Sequence, residues 1–69
     1  MFKYNPNNYP YPLNESMETV YNAKNTNDRL LAVYIADTLI CIKQAIRARM
    51  LSQADGEKMK EYFWGLQYD

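Results

Sequence analysis

The segment from Asp28 to Met50 has the pattern of one long helix with apolar side chains on two sides. It contains no glycine or proline. At about 100° per residue, one apolar stripe runs its whole length: Leu31, Ile35, Leu39, Ile42 and Ile46. A second apolar set falls on the opposite, otherwise polar side: Val33, Ile40 and Leu51. A helix in a two-helix hairpin needs one apolar stripe, so the second set predicts a further contact with another helix of this chain, a second copy or a partner protein.

A shorter helix is predicted before the long one. Asn14 is a good helix-capping residue, and helical spacing then continues over 15–25. Met17, Val20 and Tyr21 form the apolar side of this segment. If this helix packed on Val33 and Ile40, the long helix would lie between two neighbours and its second apolar set would need no partner.

A third helix is predicted after a sharp turn at 51–52. Ser52 with Asp55 three residues later approximates a capping box, so the helix should run from Gln53 to about Trp64, where Gly65 is placed to end it. Its apolar side is predicted to be Met59, Tyr62, Phe63 and Leu66. Gly56 lies in the first turn of this helix, where glycine lowers helix stability by up to about 1 kcal/mol relative to alanine. It either permits close approach of the long helix or has no packing role.

The hairpin formed by the last two helices resembles the short helical-hairpin domains that end many bacterial proteins. The similar run is 42–66, with Leu51–Ser52–Gln53–Ala54–Asp55 at its turn. Those domains usually have a glycine just before the turn and an aromatic residue after the acidic triplet. In this chain the first position is held by Arg49 or Met50 and the second by Gly56. The resemblance implies an antiparallel helical hairpin, and it implies no function.

The first thirteen residues hold all three prolines and three of the tyrosines. Proline removes a backbone donor and biases its predecessor towards extended geometry, which predicts an irregular N-terminal arm over 1–13. The arm is either a flexible tail or a strap that lays its aromatic rings across the helices. Those rings belong to Phe2, Tyr4, Tyr9 and Tyr11.

These patterns together predict an all-α fold, a small three-helix domain over 14–69 with a long central helix, a C-terminal hairpin and the arm before it. A chain of 69 residues folds with a small core and usually needs disulfides, a metal or oligomerisation. Cys41 is the only cysteine and there is no histidine, so we expect no internal disulfide, metal site or cofactor. That leaves oligomerisation or unusually good packing.

Charge and residue type argue against most other functions. The eight basic and eight acidic residues cancel, which disfavours an unspecific polyanion binder. Cys41 has no histidine to activate it, and Asp37 falls on the polar side of the helix, so we expect no enzyme activity. Lys43, Arg47 and Arg49 are the one basis for nucleic-acid binding, but their side chains diverge on the helix.

The favoured function is a non-enzymatic protein-binding module: a small stand-alone regulator or inhibitor that acts by covering a surface, as a homodimer or with another protein. The predicted interface residues are Val33, Ile40, Trp64, Tyr68, Tyr9 and Tyr11. The alternative is a small dimeric nucleic-acid-associated regulator that uses Lys43, Arg47 and Arg49. No secretory signal or membrane-spanning stretch is visible, and a lone cysteine fits a reducing compartment, so the expected location is cytoplasmic.

Overall fold

The structure, a computed structural model, describes residues 2–68, which form three α-helices and two short 3₁₀ turns. The helices are α1 (Leu13–Asn25), α2 (Leu31–Arg47) and α3 (Gln53–Gly65). The 3₁₀ turns are Pro6–Asn8 and Leu66–Tyr68. The described residues contain no strand. The predicted all-α, three-helix fold is therefore confirmed.

The core lies where the three helices meet, with α2 packed against both α1 and α3. The predicted apolar sides of all three helices supply it. The buried side chains are Leu13, Met17, Val20, Tyr21, Ala23, Ile35, Thr38, Ile42, Ala45, Met59, Phe63 and Leu66. Tyr21 of α1 and Phe63 of α3 stack with ring centroids 5.6 Å apart, so α1 and α3 also contact each other. Each helix therefore buries one side against the other two.

One buried polar pair joins α1 to α2. The Thr38 hydroxyl donates to the backbone oxygen of Tyr34 at 3.0 Å, and its oxygen lies 2.6 Å from the Ser16 hydroxyl. Because the single Thr38 proton goes to Tyr34, Ser16 is the donor in the second bond. Thr38 is fully buried, and this pairing satisfies its polar atom. The apolar pattern had not indicated Thr38 as a core residue.

The first helix ends at Asn25, as predicted, but it begins at Leu13, so Asn14 lies inside the helix and does not cap it. After this helix, Asn27 adopts a left-handed conformation. Its φ is 55°, and the Asp28 amide donates to the Ala23 oxygen at 2.9 Å, as in a Schellman motif. The Asp28 carboxylate then accepts from the Leu30 amide at 2.9 Å. These bonds form a separate turn over 26–30, so the long helix begins at Leu31 and not near Asp28.

The same motif ends α2 earlier than predicted. Arg49 has a φ of 60°, its amide donates to the Ile46 oxygen and the Met50 amide donates to the Ala45 oxygen, both at 3.0 Å. The helix therefore stops at Arg47, and the prediction that it continues to Met50 is wrong.

The start of α3 confirms the predicted cap, and its end lies within one residue of the predicted end near Trp64. The Ser52 hydroxyl accepts from the Asp55 amide at 3.1 Å, as the capping pattern indicated. Gly65 is the last α-helical residue, has no positive φ and is followed by a further 3₁₀ turn. The chain thus continues helically past Gly65, because nothing at that position imposes a left-handed conformation.

Gly56 lies at a close approach of α2 and α3. It is buried, and a Cβ built on it would overlap Ile46 Cδ1 and come within 2.6 Å of Ile46 Cγ1. The ordinary separation of two carbon atoms is about 3.5–4.0 Å. Of the two readings left open for this glycine, the structure supports close helix approach. Leu51, expected on the second apolar side of α2, instead lies beyond the helix and packs half-buried on the core.

The N-terminal arm is folded across α1 and α3. Phe2 stacks on Tyr21 with ring centroids 4.0 Å apart, and Tyr4 packs against Phe63 at 6.3 Å. The Tyr21 hydroxyl donates to the Tyr4 backbone oxygen at 2.8 Å, and the Lys3 amide donates to the Tyr62 hydroxyl at 3.0 Å. The arm is thus a strap over the core, with its aromatic rings and backbone held in place. None of the helices within residues 2–68 is long and apolar enough to cross a membrane.

Candidate protein-binding surface

The side of α2 that points away from α1 and α3 is exposed along the length of the helix. We call this side the outer face. Its residues are Ala32, Val33, Ala36, Asp37, Ile40, Lys43, Gln44 and Arg47. Val33 is 54% exposed and Ile40 is 55% exposed, although both are β-branched and apolar. The first helix therefore does not cover the second apolar set, which was one of the readings left open by the sequence.

The outer face stays open because both neighbours of α2 pack on its other half. On one side, Ser16 of α1 is hydrogen-bonded to Thr38. On the other, Gly56 of α3 lies against Ile46. At helical spacing Val33 and Ile40 lie about opposite Ile42, the centre of the buried side. No described segment of the chain reaches that position.

An exposed aromatic pair adjoins the outer face on the α3 side. Trp64 is 54% exposed and Tyr68 is 70% exposed, and their rings meet edge to face with centroids 6.0 Å apart. Trp64 lines a shallow cleft of about 260 Å³ together with Leu39, Lys60 and Glu61. Leu39 is next to Ala36 on the helical surface, so the cleft continues the outer face onto α3. The structure thus places four of the predicted interface residues, Val33, Ile40, Trp64 and Tyr68, on adjoining surfaces.

The structure places the two tyrosines of the arm elsewhere. Tyr9 is half-buried and packs edge-on against Tyr4 at 6.4 Å, and burial raises the pKa of its hydroxyl. Tyr11 is 72% exposed but lies beside Met50, where both line a groove of about 190 Å³. That groove is on the α1 side of α2, so neither tyrosine joins the surface around Trp64.

The basic residues named in the alternative are all exposed but do not form one patch. Lys43 and Arg47 lie on the outer face, where they share the surface with the acidic Asp37. Arg49 is in the turn after α2. A further shallow cleft, of about 300 Å³, borders the outer face on the α1 side. We call it the acidic cleft, because the carboxylates of Glu15 and Asp37 line it.

Within residues 2–68 no group of three histidine, cysteine or acidic side chains is placed to hold a metal ion. Cys41 is half-buried between the α1-side groove and the acidic cleft. The pKa of Tyr21 is raised first by burial and then by the nearby Tyr62 hydroxyl. Tyr21 donates to the Tyr4 backbone and stacks between Phe2 and Phe63, so its position is explained by packing.

No known protein family, curated protein sequence or solved structure matches this chain. The functional argument therefore depends on the surface itself. Its distinguishing feature is a completed three-helix core that leaves an apolar line and an aromatic pair exposed on one side. Sequence periodicity indicated the apolar line, whereas the two shallow clefts beside it had no signal in the sequence.

Proposed function

We propose that this protein is a non-enzymatic protein-binding module, a small regulator or inhibitor that acts by covering a surface of its target and that works as a homodimer. The observation that carries the proposal is the exposure of Val33 and Ile40 on the side of α2 opposite the core. A second copy of the chain is the occupant that we assign to this outer face.

The composition of the surface supports protein binding. Single exposed apolar residues are common and need no explanation, but apolar residues that adjoin one another are typical of interaction sites. Here helical geometry places Ala36 between the apolar line and Leu39. Leu39 lines a cleft with Trp64, whose ring contacts Tyr68. Tryptophan and tyrosine are the residue types that most often contribute large shares of binding energy.

The compactness of the monomer indicates that the outer face is a surface on a completed fold. The accessible surface is 4831 Å². A folded monomer of 8.2 kDa is expected to expose about 4500 Å². The chain is therefore about as compact as an ordinary small monomer, and α2 does not look like one half of an open core. Binding at the outer face would then be available for regulation without unfolding.

The first experiment measures molar mass in solution by light scattering on a sizing column, for the wild type and for Ile40→Glu. The wild type is expected to be a dimer at a chain concentration of about 100 µM, above the micromolar Kd typical of small interfaces. Ile40→Glu is expected to be a folded monomer, because a charge at the centre of the interface would lose its hydration. Met50→Glu is the matched control, since Met50 is 56% exposed but lies in the turn after α2 and lines the groove on the α1 side.

The outcomes separate the possibilities clearly. Loss of the dimer in Ile40→Glu but not in Met50→Glu would support binding through the outer face. A wild type that remains monomeric would contradict the dimer, and a dimer that persists in Ile40→Glu would place its interface elsewhere. Circular dichroism on each variant shows whether the helices are intact.

The aromatic pair is proposed to face the regulated protein or the edge of the dimer contact. Trp64→Ala should leave helicity unchanged, because the side chain is outside the core, and should weaken binding. We also propose a cytoplasmic location, which is supported by the single cysteine and its half-buried position.

A further inference from the structure

The geometry points to a specific arrangement of the dimer. We propose that two copies pair their α2 helices antiparallel about a two-fold axis at Ile40, with Arg47 of each copy reaching Asp37 and Glu15 of the other. This inference rests on the proposed function, because it assumes that the outer face binds a second copy. It adds the orientation, the register and the charged groups that select this partner.

The register follows from the spacing along the outer face. Val33, Ile40 and Arg47 are seven residues apart and lie on one line of α2. Rotation about a two-fold axis at Ile40 places Ile40 against its own copy and Val33 against Arg47 of the other chain. The aliphatic part of an arginine can cover an apolar residue while its guanidinium reaches beyond it. Every position on the line then meets a suitable side chain.

The charges favour the antiparallel orientation over the parallel one. Asp37 lies in the N-terminal half of the outer face, and Lys43 and Arg47 lie in the C-terminal half. A parallel pair would bring the two basic halves together, whereas an antiparallel pair sets each basic half against the half that contains Asp37. The helix dipoles have the same preference, because antiparallel alignment places each C-terminus beside an N-terminus.

The acidic cleft beside the outer face provides the site for Arg47. Glu15 and Asp37 both line it, and neither carboxylate forms an ion pair among residues 2–68. Arg47 of the same chain forms no ion pair in that part of the chain either, and it is exposed. In the proposed register, Arg47 of the second copy lies level with Val33 and one helical turn from Asp37, a distance that an extended arginine can span.

The available area is sufficient for a dimer of moderate affinity. α2 has 17 residues and is therefore about 25 Å long. With the adjoining aromatic pair, the outer face can bury roughly 500 Å² on each copy, or about 1000 Å² in total, which is at the lower end for specific protein interfaces. A Kd in the micromolar range is the corresponding expectation, so measurements are needed across a range of concentrations.

Charge exchange tests the pairing of Arg47 with Asp37. Asp37→Arg and Arg47→Glu should each weaken the dimer, raising its Kd by about 10–100-fold, because each variant places like charges opposite one another. An equimolar mixture of the two variants should form a heterodimer with affinity close to that of the wild type, because opposite charges face each other again at both ends. A mixture of Ile40→Glu with Arg47→Glu is the control and should not recover.

Disulfide formation provides a second measurement that does not depend on charge. In a Cys41→Ser background, Ile40→Cys should cross-link to its own copy under mild oxidation, since the two residues meet at the axis. Val33→Cys should not, because its copies are about 21 Å apart in the antiparallel register, and a disulfide needs Cα atoms within about 7 Å. In a parallel pair, Val33→Cys would cross-link as readily as Ile40→Cys.

Failure of this inference can be distinguished from failure of the proposed function. If Ile40→Glu abolishes the dimer but charge exchange has no effect, or if Val33→Cys cross-links to itself, the outer face binds a second copy in another arrangement and the inference is wrong. If the wild type is monomeric throughout, both proposals fail. Efficient cross-linking of Ile40→Cys alone, with recovery in the charge mixture, would confirm the arrangement.

Discussion

Substitution of Gly56 by alanine gives a sharp test of the packing between α2 and α3, because two effects of opposite sign compete there. Alanine in a helix interior is favoured over glycine by about 1 kcal/mol. At Gly56, however, a new Cβ would overlap Ile46 Cδ1 and approach Ile46 Cγ1 to 2.6 Å, with Leu51 Cδ2 at 3.6 Å. Inserting a methyl group into a closely packed site costs about 1–3 kcal/mol. Since overpacking outweighs propensity, Gly56→Ala should lower the free energy of unfolding by about 1 kcal/mol.

A double-mutant cycle with Ile46→Ala isolates the contact. Ile46→Ala removes the two Ile46 atoms that the new Cβ would overlap and leaves only the ordinary contact with Leu51 Cδ2 at 3.6 Å. In this background Gly56→Ala should therefore become stabilising by about 0.5–1 kcal/mol. The difference between the two backgrounds is then about 2 kcal/mol, within the range expected for residues in direct contact. Urea unfolding followed by far-UV circular dichroism measures each value.

Gly65 supplies the matched control, because it is also in α3 but a Cβ added there would meet no neighbouring side chain within 4 Å. Gly65→Ala should raise the free energy of unfolding by about 0.5–1 kcal/mol in both backgrounds. If Gly56→Ala stabilised the wild type as much as Gly65→Ala does, the close approach of α2 and α3 at this point would be refuted.

Four further outcomes are expected. Arg49→Gly should raise the free energy of unfolding by about 0.5–1 kcal/mol by relieving the left-handed conformation, whereas Arg49→Ala, which loses the same charge, should not. Because burial raises the pKa of Tyr21, the folded state keeps a proton that the unfolded state loses above the ordinary tyrosine pKa of 10.0. The free energy of unfolding should therefore fall as pH rises above that value, and it should fall less in Tyr21→Phe. Urea titrations at a series of pH values measure both. Ile42→Ala should cost about 2–5 kcal/mol in the same unfolding assay, while Ile40→Ala in the monomer should cost less than about 1 kcal/mol. The apolar contact of the dimer should persist when salt is raised in light-scattering runs, although its Arg47 ion pairs weaken; steep dissociation across the whole range would contradict an apolar interface.

Most of the core was predictable from sequence because helical spacing directly identifies one buried side. Ile35 and Ile42 are fully buried as the main stripe predicted, and Met59 and Phe63 are buried on α3. Thr38 lies on the same side of α2, three residues after Ile35 and four before Ile42, but it was missed because its side chain is polar. The partner that allows its burial, Ser16, is 22 positions earlier in the chain. A long-range polar pair leaves no trace in a local pattern.

Helix ends were the least predictable part of the fold. Glycine is the usual residue for the left-handed position after a helix. In this chain the left-handed residues are Asn27, after α1, and Arg49, after α2. The turn that begins at Asn27 delays the start of α2 until Leu31, and Arg49 ends α2 at Arg47, so α2 was predicted too long at both ends. The end of α3 at Gly65 was predicted to within one residue, although the glycine there has no positive φ and the chain passes into a 3₁₀ turn.

The exposure of Val33 and Ile40 follows from the way that three helices share one core. α1 and α3 must each contact α2, and they also contact each other through Tyr21 and Phe63. This mutual contact confines both neighbours to the same half of α2, because a helix that moved round to Ile40 would lose its contact with the third helix. An apolar line opposite the core therefore cannot be covered from within a bundle of this kind. The strap could have reached it, but its rings are already packed on α1 and α3. No segment within residues 2–68 buries Val33 and Ile40, and the charges on either side of Ile40 favour the second copy that we propose as the occupant of the outer face.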